Sequence, residues 1–228
     1  MQHLAVIMDG NRRWAKQRNL SSADGHRKGR DAARLAVEFC VKNDIKYLSL
    51  YAFSLENFRR DEEEKAAIFS ILVDGINAEL DEFIERGVRI CFVGDRSRFP
   101  EHLLSSIQHA EKSTKHLEKL QVNVLFCYGA QQELTSAMQT IARQVQQGEL
   151  APEDITKETI EKMLWTAGTP DPDLIVRTGY APRLSNFMLY QAAYSELKFL
   201  DCYWPDITEK HLESCVQDFY KTKRNFGC

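Results

Sequence analysis

The sequence predicts one α/β domain built on a mainly parallel sheet flanked by helices. Three observations predict it. Short apolar runs rich in β-formers recur at 4–8, 47–53, 88–93, 122–128 and 173–176. Longer stretches with apolar residues at helical spacing separate them, and that alternation implies βαβ units. The chain has 228 residues and is 43% hydrophobic, which suits one large domain with a substantial core.

In chain order, "LAVIM" (4–8) is the first strand, and it stops at Asp9-Gly10-Asn11, with Arg12, Arg13 and Trp14 behind. Ligands in open α/β sheets sit beyond the carboxyl ends of the strands, so Asp9 stands at a ligand edge. Gly10 and Asn11 allow a tight turn, and the next helix offers free N–H groups to an anion. Arg12 and Arg13 add positive charge. An Asp at the lip of such a phosphate cradle has a natural partner in Mg²⁺, which prefers carboxylate plus phosphate oxygens. Taken alone, the stretch also reads as an ordinary Asp-Gly turn with solvated arginines.

"GHRKG" (25–29) brings His26, Arg27 and Lys28 near another helix start, and residues 30–43 carry Ala33, Val37, Cys40 and Val41 on one side. "YLSLYAF" (47–53) is the second strand, and its end delivers Ser54, Glu56, Asn57, Arg59 and Arg60. Residues 61–86 open with "DEEE", which suits a helix N-terminus, and continue with Ile68, Leu72, Ile76, Leu80 and Phe83. "VRICFV" (88–93) and "VNVLFCY" (122–128) are further strands. "TKETIEKMLW" and "TEKHLESCVQDFYKTK" read as helices with Thr N-caps. The turn-rich segments 146–154 and 166–173 do not read as domain linkers, and no internal repeat is present, so residues 1–228 form a single domain. "DLIV" (173–176) leads into Arg177, Arg183 and Ser185. "YSEL" (194–197) sets Glu196 in an otherwise apolar stretch, as a candidate second metal carboxylate or a partly buried partner of an Arg.

Parallel strands point one way, so these strand ends converge. Arg or Lys with small polar groups at three of them fits a site for two phosphate-rich ligands. Other classes fall away. The net charge is −3 and no aromatic-basic stripe is present, which argues against nucleic acid. The six cysteines (Cys40, Cys91, Cys127, Cys202, Cys215 and Cys228) form no CxxC pair, and reduced thiols of a cytosolic protein are expected. There is no signal-peptide pattern and no run of membrane-span length. Neither DDxxD nor GxxxxGK[ST] occurs, which argues against a trans-prenyltransferase and a P-loop ATPase.

"MDGNRRWA", "GHRKG", "YAFSLENFRR", "RTG…RLSNF" and "YSEL…WPD" stand in the order and spacing of the cis-prenyltransferases. The chain resembles the bacterial undecaprenyl diphosphate synthases most, from His3 to about Gly227. The resemblance implies Mg²⁺-dependent, sequential cis-condensation of isopentenyl diphosphate onto an allylic diphosphate, usually farnesyl diphosphate. The implied product is a long polyprenyl diphosphate, undecaprenyl diphosphate, the lipid carrier for cell-wall polysaccharide synthesis.

Residue by residue, Asp9 matches the family's metal-holding aspartate. Gly10, Asn11, Arg12, Arg13 and Trp14 match the diphosphate loop. His26 matches the histidine near the leaving diphosphate, and Ser54 and Asn57 the polar pair that assists proton handling. Phe58 stands where Trp is commoner, as an aromatic wall, and Arg60 matches the arginine of that loop. Arg177, Arg183 and Ser185 match the clamp on isopentenyl diphosphate, and Glu196 the second metal carboxylate. The helix from Ile68 to Phe83 and the "VNVLF" strand are expected to line an apolar tunnel for the prenyl chain. The resemblance also implies a homodimer, with apolar residues on helices after residue 100 as interface candidates. It implies a cytoplasmic enzyme that touches the inner face of the membrane to release product. Four positions depart from the family pattern: Ser22 replaces an Arg, Asp61 a Pro, "RTGYAP" (177–182) the usual "RTGGE", and Asn225 the Arg of an "RFG" ending. A shorter-chain enzyme is the nearest alternative. A non-catalytic accessory subunit is disfavoured because Asp9, Asn11 and Arg13 are all present.

Overall fold

The computed structural model describes residues 1–222; Asn225 and Cys228, singled out above, lie outside the described residues. Among the described residues six strands form one sheet: β1 (His3–Ile7), β2 (Tyr47–Ser54), β3 (Val88–Val93), β4 (Leu120–Tyr128), β5 (Leu174–Arg177) and β6 (Glu196–Phe199), in the order β3-β4-β2-β1-β5-β6. Every pairing is parallel. The helices are α1 (Asn11–Gln17), α2 (Ser22–Lys42), α3 (Glu62–Glu85), α4 (Glu101–Thr114), α5 (Ala130–Gln146), α6 (Lys157–Met163) and α7 (Glu209–Lys221).

β1 and β5 are buried at every residue, and β2 and β4 have no exposed one. β1 has no exposed residue, as expected for a strand covered on both faces. One core joins α2 and α7 to the sheet through Ala36, Val37, Leu48, Trp204, Leu212 and Phe219. A second sits beneath α3 and α4 around Phe53, Phe69, Phe126 and Ile107, with five Phe–Phe ring pairs at 5.1–5.7 Å among its aromatics. A third covers the sheet around Ile7, Ile175, Leu125 and Phe187.

The helix caps follow the sequence signals. Asp61 caps α3, Thr156 caps α6 and Thr208 caps α7, each accepting a hydrogen bond from the backbone N–H three residues on. Two elements differ from expectation. β6 is a four-residue edge strand whose residues alternate between half-buried and exposed, too short to stand out as a run. α2 begins at Ser22, eight residues before the expected stretch, with a capping box between Ser21 and Asp24. Gly25 and Gly29 therefore lie inside a helix, and their missing side chains let Asn11 of α1 pack against it.

The topology fixes the ligand edge. From β1 the chain moves to β2 on one side, while β5 pairs on the other. The switch point thus falls at the carboxyl ends of β1 and β5, where crevices open in such sheets.

At the opposite end, His3 is fully buried; Nε2 lies 2.8 Å from Ser49 Oγ and Nδ1 2.6 Å from the Pro170 carbonyl. Burial pulls its pKa down to about 4 despite these contacts and nearby Asp173. The unfolded chain therefore binds a proton that the folded one refuses. Stability is complete above pH 6.5 and falls as pH drops towards 4, by about 3 kcal/mol from this group. We expect the urea midpoint to fall across that window, and to fall less in His3→Gln; equal slopes for both proteins would refute the assignment.

Candidate active site

β1 ends at Ile7, and the chain turns so that the Asp9 N–H donates to the Ile7 carbonyl at 2.9 Å. The Asp9 carbonyl accepts from Thr178 Oγ1 at 2.7 Å and from the Trp204 N–H at 3.0 Å. Backbone contacts therefore fix Asp9 without using its carboxylate. Gly10 follows in the left-handed region (φ 112°), and a Cβ there would stand 2.6 Å from the Tyr203 ring. The turn needs glycine on both counts.

Both Asp9 oxygens face cations. Oδ1 accepts from Arg13 Nη2 at 3.0 Å and Oδ2 from Arg177 Nη2 at 2.8 Å. Arg177 ends β5 and is 5% exposed; its Nη1 also donates to Ser185 Oγ at 2.7 Å and to the Arg183 carbonyl. It thus ties the 183–185 loop, where Ser185 has φ 52°, to the turn after β1. Gly179 (φ 89°) sits against this pair. A Cβ there would meet Arg13 Nη2 at 2.7 Å and Asp9 Cγ at 2.9 Å. Arg13 also lies over the Tyr203 ring, 5.4 Å from its centroid.

A second cation cluster stands across the mouth. Glu64, in the first turn of α3, is buried and accepts from Arg60 Nη1 at 2.9 Å. Arg12 Nη1 lies 3.3 Å from its other oxygen and His26 Nε2 3.5 Å from the first. Burial lowers the His26 pKa, Arg60 and Arg12 lower it further, and Glu64 opposes them. The site therefore favours the neutral imidazole. Between the clusters, the Ser54 N–H donates to Asn57 Oδ1 at 3.1 Å.

Asp9, Asn11, His26, Ser54, Asn57, Arg60, Arg177, Arg183 and Ser185 all line one cavity of about 450 Å³. Its mouth holds these polar groups, and its depth is mostly apolar, with Ile68, Leu72 and Ile76 of α3 facing Val122, Val124 and Phe126 of β4. Four arginines (Arg12, Arg13, Arg60 and Arg177) pair with two carboxylates (Asp9 and Glu64), and Arg183 stands on the cavity wall, a set that suits polyanions.

Three expected residues stand elsewhere. Trp14 is buried against the turn at 204–206, its Nε1 donating to Asp206 Oδ1 at 2.6 Å and its ring under Arg18. Phe58 packs edge-on against Phe53 at 5.2 Å, within the core beneath α3. Glu196 is the first residue of β6, level with Leu4 and Leu174 and so at the opposite end of the sheet from Asp9. At about 3.3 Å per residue, more than 10 Å separates the two carboxylates along the strands. Within one chain they do not share an ion. Glu64 and Tyr203 were not anticipated. Glu64 was legible, since it lies four residues before Ile68 on the apolar stripe of α3 and four after Arg60. Nothing in the sequence marks Tyr203.

The family described as "Putative undecaprenyl diphosphate synthase" matches residues 7–227. The ditrans,polycis-undecaprenyl-diphosphate synthase ((2E,6E)-farnesyl-diphosphate specific) of Pseudomonas putida is 40% identical over 99% of this chain and 90% of its own length. The isoprenyl transferase of Agrobacterium fabrum is 43% identical over 99% of this chain and 92% of its own. Among solved structures, lavandulyl diphosphate synthase from Lavandula x intermedia, in complex with dimethylallyl diphosphate, superposes with a TM-score of 0.97 at 31% identity, covering 100% of this chain and 98% of that one.

Proposed function

Because this chain belongs to the undecaprenyl diphosphate synthase family, and is therefore a cis-prenyltransferase, we propose that it condenses isopentenyl diphosphate sequentially onto farnesyl diphosphate to make undecaprenyl diphosphate. One observation carries the reading: the arginine-rich mouth opens directly into an apolar cavity. A charged head and a hydrocarbon tail on one molecule match that pairing of surfaces.

The residues divide the work. Breaking the allylic C–O bond leaves pyrophosphate and a cation-like carbon. Arg13 and Arg177 hold the departing anion, since each already reaches a carboxylate at that spot. Asp9 is a half-buried carboxylate beside guanidiniums, which fits Mg²⁺ held jointly by one acid and diphosphate oxygens. Bound there, Mg²⁺ supplies charge neutralisation for the leaving group. Arg183 and Ser185 hold isopentenyl diphosphate, and Ser54 and Asn57 face the proton that it loses. His26 orients the allylic diphosphate. Labelled isopentenyl diphosphate, farnesyl diphosphate and Mg²⁺ given to the purified chain should yield lipid-extractable label that a chelator abolishes; no incorporation would refute the proposal.

The same reading includes a homodimer. Leu197 and Phe199 are 41% and 39% exposed on the edge strand β6, and Tyr194 beside them is 80% exposed. Among the described residues this apolar edge is exposed, which supports pairing with a second copy on β6 alongside the later helices. Light scattering at micromolar concentration should report twice the 26.3 kDa chain mass; a monomer would overturn this. Among the described residues no helix is long and apolar enough to cross a membrane. We place the enzyme in the cytoplasm, where the membrane's inner face receives its product.

A further inference from the structure

The loop after β5 carries an aromatic residue on a backbone that favours glycine. Gly179 and Tyr180 follow one another in the left-handed region, at φ 89° and 58°. Gly179 takes that conformation without steric cost, but a tyrosine is strained there. The usual "RTGGE" would put a second glycine at position 180. This chain has a tyrosine instead, 55% exposed, so burial of the ring does not explain it. Strain that one substitution could relieve, beside a ligand site, points to a function.

The Tyr180 ring stands edge-on to the Tyr203 ring, with centroids 5.3 Å apart and planes at 72°. Tyr203 is held on two further sides. Its ring lies against Gly10, where an added Cβ would stand 2.6 Å from it, and its hydroxyl accepts from Gln17 Nε2 at 3.2 Å. The Gly179 N–H donates to the Cys202 carbonyl at 2.7 Å, which ties the loops of the two tyrosines together. Arg13 lies over Tyr203, its guanidinium carbon 5.4 Å from the ring centroid. Three side chains thus form one series, Tyr180–Tyr203–Arg13, that ends at Asp9.

Arg13 needs such support. Its side chain is 47% exposed, and its Nη2 pairs with Asp9 Oδ1 at 3.0 Å. A diphosphate that binds Arg13 competes with that carboxylate. The contact with Tyr203 uses no N–H donor, so it persists while the N–H groups turn to phosphate oxygens. A long side chain already restricted by a ring also loses less freedom on binding.

We propose that Tyr180, acting through Tyr203, is a positioning residue that holds Arg13 ready for the allylic diphosphate. The inference rests on the polyprenyl synthase reading above and adds two aromatic side chains to its phosphate site.

Tyr180→Gly is the deciding variant, because glycine suits this backbone and only the ring is lost. A residue that served the fold alone would be replaced without loss of activity. Tyr180→Gly should keep a Tm close to wild type and raise the KM for the allylic diphosphate about fivefold, with the KM for isopentenyl diphosphate unchanged. Tyr180→Asn, which also tolerates the left-handed region, should match it. Tyr180→Phe keeps the ring and should restore the wild-type values. In an Arg13→Ala background, Tyr180→Gly should raise the allylic KM no further, since the two changes break one series. An unchanged allylic KM in Tyr180→Gly, or an equal rise in both KM values, would overturn the proposal. So would a full additional effect in the Arg13→Ala background, or a loss in Tyr180→Phe as large as in Tyr180→Gly. Addition of the first isopentenyl unit by the wild-type protein tests the underlying activity separately. If that step is absent the reading fails, and if it is present with an unchanged allylic KM in Tyr180→Gly only this inference fails.

Discussion

Asp9→Ala should fold and lose turnover by at least about a hundredfold. Folding survives because the structural contacts at this position are backbone ones: the Asp9 carbonyl receives Thr178 Oγ1 and the Trp204 N–H, and its own N–H bonds the Ile7 carbonyl. The carboxylate is a different matter. It stands between Arg13 and Arg177, and removing it leaves two guanidiniums facing one another with no acid to hold a cation between them. Metal and electrostatic positioning of a leaving group contributes several kcal/mol, and each 1.36 kcal/mol is tenfold in rate. Asp9→Asn keeps the shape and should lose nearly as much, which separates charge from packing. Its residual activity should need far more Mg²⁺ than wild type, since one acid of the donor set is gone. Near-normal turnover in a folded Asp9→Ala protein would remove Asp9 from the mechanism.

Why so much of this was legible in the sequence, and why some was not, follows from the length of the signals. β1, β2, β3 and β4 stand out as short, mostly apolar runs, and β1 is apolar along its buried length after His3 because it is covered on both faces. A run also fixes where its strand stops, so the runs alone place Asp9, Ser54 and Arg177 at one edge of the sheet. β6 escaped because four residues on an edge, alternately half-buried and exposed, give no run. That omission hid the position of Glu196: without the strand, nothing showed that it starts β6 at the far end of the sheet. The start of α2 escaped because Gly25 and Gly29 read as punctuation, although each is where α1 presses on the helix. Side-chain direction was the weakest point. Trp14 and Phe58 sit in the expected segments, but each turns into packing, Trp14 towards Asp206 and Phe58 towards Phe53. Spacing says which segment reaches a site, while the rotamer that fills it is decided by neighbours distant in sequence.

Arg177→Ala and Arg183→Ala should separate sharply, although both were expected simply to weaken binding of isopentenyl diphosphate. Arg183 is exposed at the cavity rim. Its loss should raise the KM for isopentenyl diphosphate about tenfold or more and leave the allylic KM and kcat nearly unchanged, as for a contact made equally in ground and transition states. Arg177 is 5% exposed and joins three things: the Asp9 carboxylate, Ser185 Oγ and the Arg183 carbonyl. Removing it leaves Asp9 with one cation and frees a loop whose Ser185 and Asn186 hold positive φ. Leaving the partner of a buried ion pair uncompensated costs about 3–5 kcal/mol, and less here because the Asp9 side chain is 28% exposed. Arg177→Ala should therefore lower kcat by two or more orders of magnitude, raise both KM values and lower the Tm. Arg177→Lys restores charge but not the fork that reaches three acceptors at once, so it should recover Tm more than kcat. Steady-state kinetics with each substrate varied in turn decide the point. If Arg177→Ala raises only the isopentenyl diphosphate KM and keeps kcat, its bond to Asp9 has no part in catalysis, and the two arginines serve one site in the same way.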